Sequence, residues 1–214
     1  MKKSLNCYEI CSILQYHLYS IMLYITVQES NQVPTKPNMV GALSYLSKVT
    51  SVFYFAFGAN LDEGILSRRV LATPDDLSWF PARLDNYKLS FNIGGTNLIM
   101  ESPSYASVVP AQAISSSSSS SSVHGVIYEL TLPQWGLLCA SEGVPLAYVP
   151  KVVECNAYTE RGRVNAYTLM PSRMGLGSKE GRPSKRYIDI IRKGARKQSL
   201  NEKYIQFLDT IEPF

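Results

Sequence analysis

The order of strand-like and helix-like segments predicts an α+β domain. Three observations carry that expectation. Residues 52–57 form a β-branched and aromatic run that reads as a strand and breaks at Gly58 into a helix-forming stretch. Two later stretches, Tyr87 to Asn92 and Val123 to Leu130, alternate with the period of a half-buried strand. Helical periodicity appears between or after such strands, at Trp135 to Cys139, at Ser184 to Ala195 and from Asn201 onward. At 214 residues, 23.9 kDa and 45% hydrophobic composition, the chain can bury one good core and hardly two. A single domain over 52–214 is therefore expected, preceded by an extension, residues 1–51.

In order along the chain, the turn Gly58-Ala59-Asn60 leads into a short helix from Glu63 to Arg69, with Asp62 or Asn60 near its start. Pro74-Asp75-Asp76 ends that helix. Pro81 to Phe91 contains the next strand, and Gly94-Gly95-Thr96-Asn97 turns the chain. Ser107 to Ala113 reads as a short strand, and the serine run Ser115 to Ser122 as a flexible insertion between two paired strands. On Val123 to Leu130, His124, Val126, Tyr128 and Leu130 share a face, with His124 expected to be hydrogen-bonded and structural. Thr131-Leu132-Pro133-Gln134 is a helix start with proline in the first turn, and Glu142-Gly143 is its end.

Lys151 to Tyr158 and Arg163 to Leu169 read as a hairpin around Glu160-Arg161-Gly162. The glycine-rich stretch Met174 to Gly181 lacks the strand and lysine of a phosphate-binding loop. Ser184 caps a helix whose Tyr187, Ile188, Ile191 and Ala195 form one stripe. A final helix turns Tyr204, Phe207 and Leu208 inward.

Composition narrows the chemistry. The net charge of +4 owes much to Arg182, Lys185, Arg186, Arg192, Lys193, Arg196, Lys197 and Lys203, which read as the solvated face of a helix and not as a nucleic-acid site. Cys7, Cys11, Cys139 and Cys155 have neither CxxC nor zinc spacing and read as reduced. With only His17 and His124, there is little material for a metal site or a histidine-dependent triad, so acid–base work falls to carboxylates.

Residues 1–51 hold an apolar run, Ile10 to Val27, behind Lys2 and Lys3. It is nearly the length of a short membrane span but is interrupted by Gln15, His17 and three tyrosines, and no small-residue cleavage site follows. A membrane anchor, a targeting extension and a poorly ordered leader all remain open. No N-x-S/T acceptor occurs, which argues mildly against secretion. A cytoplasmic location is expected, with membrane anchoring or organelle targeting through 1–51 as the alternatives. Gln28 to Asn38 reads as a linker.

Two places invite chemistry. A strand that turns sharply into a helix leaves unpaired backbone N–H groups with the positive end of the helix dipole behind them, a cradle for an anionic oxygen. The loop Phe57-Gly58-Ala59-Asn60-Leu61 has that form; the plain alternative is an ordinary strand-to-helix turn with Asn60 as a cap. Glu142, at the last turn of its helix, faces the negative end of a dipole and is expected to be desolvated by Leu138, Val144 and Leu146. Both effects favour its protonated form and suit it to general acid–base catalysis. Its alternative is a surface glutamate at a helix end.

Phe53-Tyr54-Phe55-Ala56-Phe57-Gly58-Ala59-Asn60-Leu61 resembles the strand and substrate loop of the γ-glutamylcyclotransferase family, usually Tyr-Phe-Ala-Tyr-Gly-Ser-Asn-Leu. Pro81 to Phe91, Val123 to Leu130, Ser141-Glu142-Gly143-Val144 and Pro183-Ser184-Lys185-Arg186-Tyr187 follow in family order. The resemblance implies a small mixed β-barrel flanked by helices, with the site at one barrel mouth. It implies Glu142 as catalytic acid/base and a loop binding the γ-glutamyl part of a small-molecule substrate through Phe57, Gly58, Ala59, Asn60 and Leu61. Tyr148 and Tyr167 are further pocket candidates, with core packing as their alternative.

The implied reaction is cyclisation of a γ-glutamyl compound to 5-oxoproline, without metal or organic cofactor, by a monomer or homodimer. Phe57 and Ala59 replace a family tyrosine and serine, which bears on substrate preference. Another acyl-transfer enzyme on the same scaffold and a non-catalytic ligand-binding module are the competing functions.

Overall fold

The computed structural model describes residues 51–94, 104–111, 121–173 and 180–214, all within the unit Ser51–Phe214. The readings made for the extension, for most of the serine run and for residues 174–179 lie outside the described residues. Five strands close a barrel in the order β1 (Ser51–Ala56), β5 (Ser122–Thr131), β2 (Ser78–Asp85), β6 (Tyr148–Ala157) and β7 (Arg163–Pro171). Neighbours are antiparallel except where β7 closes on β1 in parallel, with Tyr167 opposite Tyr54. The expected small mixed barrel is present. A separate two-stranded sheet pairs β3 (Tyr87–Gly94) with β4 (Ser104–Pro110).

Four helices accompany these strands among the described residues: α1 (Glu63–Val70), α2 (Leu132–Ser141), α3 (Lys185–Lys197) and α4 (Glu202–Thr210). None of them is long and apolar enough to cross a membrane.

Strand registers sort the core into two faces. Phe55, Phe80, Ala82, Leu84, Val123, Ile127, Val153, Cys155 and Ala166 fill the barrel. The opposite face carries Tyr54, Val126, Tyr128 and Leu130, buried, as well as Trp79 and Val152, which are exposed. Buried Trp135 of α2 lies on that outer face, with its ring centroid 5.7 Å from Tyr54 and 5.5 Å from Tyr167. Both faces of β5 are therefore buried along most of its length, unlike the half-buried strand expected from its alternation.

Four further readings are corrected. Asn86, with φ of 62°, breaks the continuous strand anticipated at 81–91, so β2 enters the barrel and β3 the second sheet. The strand anticipated at 107–113 is β4, three residues earlier. β4 pairs with β3, while β5 pairs with β1 and β2, so the serine run does not join two paired strands. Phe207 is 45% exposed, and Ile205 takes the inward place beside Tyr204 and Leu208.

His124 has the structural role expected of it. Its Nδ1 meets the Tyr158 hydroxyl and its Nε2 lies 3.2 Å from Ser122 Oγ, while its ring stacks on Tyr204 at 4.8 Å. The Tyr158 oxygen in turn accepts from the Asn201 N–H that opens α4. Burial, with Arg83 nearby, lowers the imidazole pKa to about 4, and Asp85 opposes this weakly.

A histidine held neutral in the fold but free to protonate when unfolded contributes stability that is intact above about pH 6.5 and lost as pH falls toward 4. Between those limits the unfolding free energy of the wild type is expected to fall by about 2 kcal/mol more than that of His124→Phe. Equilibrium denaturation at pH 7 and pH 4.5 measures the difference, and equal slopes for the two proteins would refute it.

Candidate active site

The site is assembled by the ends of β1, α1 and α2. β1 stops at Ala56, and after Phe57 and Gly58 the chain makes a single 3₁₀ turn, Ala59–Leu61. Asp62 then caps α1, its carboxylate accepting from the Ile65 N–H at 3.1 Å. Leu66 and Val70 form the buried stripe of α1. Arg69 stands one turn on from Leu66 and at the stripe's edge, near the helix C-terminus, where a cation is favoured.

α2 begins with a capping box between Thr131 and Gln134, and Pro133 lies in its first turn. It ends in a Schellman motif: Val144 N–H donates to Cys139 O at 3.0 Å and Gly143 N–H to Ala140 O at 3.2 Å. Gly143 takes the left-handed conformation this requires, with φ of 72°. Glu142 is thereby fixed as the last residue before the chain leaves the helix.

The Glu142 side chain is directed at the loop. Its Oε1 accepts from Asn60 Nδ2 at 2.9 Å and is ion-paired with the Arg69 guanidinium. The same Asn60 amide donates to the Tyr54 hydroxyl at 3.0 Å. Glu142 and Arg69 retain 16% and 26% of their side-chain exposure, so the pair is sheltered yet reachable from solvent. Arg69 works against the two effects expected to protonate Glu142, because an adjacent guanidinium favours the ionised carboxylate. Leu146, named as a desolvating neighbour, is 63% exposed and cannot act as one; Leu138 and Val144 are buried.

Three further tyrosines gather here. The Tyr187 oxygen, on α3, accepts from the Ala106 N–H at 3.2 Å and lies beside Gly58 of the loop. Its ring stands edge-on to Tyr105 of β4 at 5.2 Å. Tyr148, at the start of β6, donates to Ala106 O at 3.4 Å. Burial pushes the phenols of Tyr54 and Tyr187 up to about 12 and that of Tyr148 higher still, while Arg69 pulls each of them down. These phenols remain protonated at neutral pH. They can exchange hydrogen bonds with a ligand but cannot serve as its base.

The loop is arranged differently from the cradle of unpaired backbone N–H groups anticipated. Leu61 N–H is taken by Gly58 O at 3.0 Å, and the Leu61 side chain is fully buried, so Leu61 is a structural residue of the turn. Phe57 is buried, 6.4 Å from Phe55, and packs in the core. Asn60 contributes through its side chain. Tyr148 joins the cluster, whereas Tyr167 stacks on Trp135, which also contacts Tyr54.

Sequence reasoning missed Arg69, Tyr54 and Tyr187 as members of the site. The spacing of Arg69 from Leu66 held a signal for the first. For Tyr54 the signal was a phenol in an apolar strand, which needs a partner for its hydroxyl when buried.

A family model described as the AIG2-like family matches residues 122–208. No match was found among curated proteins. Among solved structures, a γ-glutamyl cyclotransferase shares 25% identity over 77% of this chain and 89% of its own, with a TM-score of 0.63. An uncharacterized protein from Homo sapiens shares 26% over 77% and 90%, also with a TM-score of 0.63. A γ-glutamyl cyclotransferase specific to glutathione, from yeast, is similar in fold alone, at 11% identity over 74% of this chain and 94% of its own and a TM-score of 0.53. The closed mixed barrel is thus shared with these γ-glutamyl cyclotransferase structures, and residues 122–208 are similar to the AIG2-like family.

Proposed function

We propose that this protein cyclises γ-glutamyl compounds, releasing an amine or amino acid and 5-oxoproline. The observation that carries the reading is the Glu142 carboxylate held 2.9 Å from the Asn60 amide, against the loop where the substrate's glutamyl part is expected to lie. In a γ-glutamyl compound the α-nitrogen and the γ-carbonyl are separated by the length of a five-membered ring. Holding the chain folded therefore supplies much of the rate by proximity. Glu142 takes a proton from the α-ammonium, and the freed amine attacks the γ-carbonyl carbon. As the new C–N bond closes, the oxygen gains charge, which backbone N–H groups of the loop, those of Gly58 and Asn60, would stabilise. The old C–N bond then breaks. In all, two protons leave the α-nitrogen and two reach the departing nitrogen, with Glu142 as the relay.

The test is to incubate the full chain with γ-glutamyl amino acids, γ-glutamyl amines and glutathione and to follow 5-oxoproline. Turnover of at least one class is expected. Saturable binding without any 5-oxoproline would point to a ligand-binding module, and release of glutamate in its place to a hydrolase.

A further inference from the structure

The two oxygens of Glu142 are treated unequally. Oε1 receives both the Asn60 amide at 2.9 Å and the Arg69 guanidinium, while Oε2 has no partner among the described residues. Asn60 is itself held by the Tyr54 hydroxyl, and the backbone of Arg69 is set by the last turn of α1. Two donors on one oxygen restrict the orientation of the carboxylate and leave Oε2 for another partner.

We infer that Arg69 is a positioning residue for Glu142: it clamps Oε1 and keeps the carboxylate ionised, so that Oε2 is the atom that exchanges protons with the ligand. The inference deepens the cyclisation reading and rests on it for the identity of that ligand. The charge environment is consistent with it. Tyr54 of β1, Tyr148 of β6 and Tyr187 of α3 all lie within electrostatic reach of the Arg69 guanidinium, and each is a protonated phenol. Among the described residues Arg69 is the cation ion-paired with Glu142. Asn60 orients Oε1 without charge, so only Arg69 can set the basicity of the carboxylate as well as its direction.

The test separates the clamp from the reaction. In the full-length chain with ¹³C-labelled glutamate carboxyls, the Glu142 signal is assigned by its loss in Glu142→Gln and titrated in wild type, Arg69→Met and Arg69→Lys. Removing an adjacent guanidinium is expected to raise the Glu142 midpoint by about one unit or more in Arg69→Met, with Arg69→Lys in between. The acidic limb of kcat/KM for 5-oxoproline release should move by the same amount. At neutral pH, kcat should fall roughly tenfold with KM little changed, because the base is misaimed and the ligand contacts remain. An unchanged midpoint in an Arg69→Met protein with wild-type circular dichroism would overturn the inference. Absence of 5-oxoproline from wild type would overturn the cyclisation reading instead, and the titration would still decide the clamp.

Discussion

Glu142→Gln is expected to lower 5-oxoproline release by about 10²- to 10⁴-fold, the range that general acid–base catalysis contributes. The substitution is informative because it changes little else. The amide oxygen of glutamine can still accept from Asn60 and Arg69, so the loop, the C-cap and the orientation of the side chain are retained. What disappears is the ability to take up a proton near neutral pH. Binding of the glutamyl part should survive, so kcat should carry nearly all of the loss.

A residual rate above the uncatalysed one is also expected, because a tethered amine folded over its own carbonyl keeps the advantage of proximity. Steady-state kinetics on a turned-over γ-glutamyl compound, with a thermal melt to confirm folding, makes the measurement. A variant that retains wild-type kcat would remove Glu142 from the chemistry.

Removing charge from Glu142 leaves Arg69 hydrogen-bonded but without its counter-charge in a partly sheltered place. Some loss of stability is therefore expected, modest because Arg69 keeps 26% of its side-chain exposure and can rehydrate. The kinetic loss and the stability loss are thus predicted to differ greatly in size. A variant that merely failed to fold would show the opposite pattern.

The α+β class was legible because strands and helices announce themselves locally, through the aromatic run of β1, the capped start of α2 and the stripe of α3, while the barrel was implied by the family resemblance. The places where reading failed are those settled by distant partners. Asn86 looks like an ordinary polar residue in a strand, and only the pairing of β2 with β5 and of β3 with β4 makes it a left-handed corner. Phe207 and Ile205 are both apolar and adjacent to the inward stripe of α4, so helical period alone does not choose between them.

In the site, Glu142 and Asn60 were singled out by the family resemblance of their motifs, since local sequence left each with an ordinary alternative at an element end. Arg69 reaches Glu142 across 73 residues of sequence, and nothing local to either residue specifies that pairing. The loop's hydrogen bonds were misjudged for a related reason. Tyr187, 129 residues after Gly58 by their numbers, sets its phenol oxygen beside the loop, and the 3₁₀ turn uses the Leu61 N–H itself.

The largest expected effect on the fold is at Gly125, in the middle of β5. A Cβ at this position would lie 2.2 Å from the Ala56 carbonyl oxygen and 2.8 Å from the Phe55 ring. The ring could turn aside at some cost. The carbonyl cannot, because Ala56 is paired with Val126 in the β1–β5 ladder and is the last residue before the turn to Gly58. Gly125→Ala therefore requires β1 and β5 to separate at the point where the barrel carries the site.

Overpacking typically costs about 1–3 kcal/mol, and a backbone clash of this depth should exceed the upper end of that range. Against the roughly 5–15 kcal/mol that stabilises a domain, the variant should unfold at a much lower denaturant concentration, and any protein that folds should have a displaced Asn60 and little activity. Gly125→Ala combined with Phe55→Leu distinguishes the two contacts. It frees the ring contact but leaves the carbonyl, so it should recover only part of the loss. A single variant with the wild-type denaturation midpoint, or a double variant fully restored to it, would show that the approach of Ala56 to Gly125 is not what holds β1 against β5.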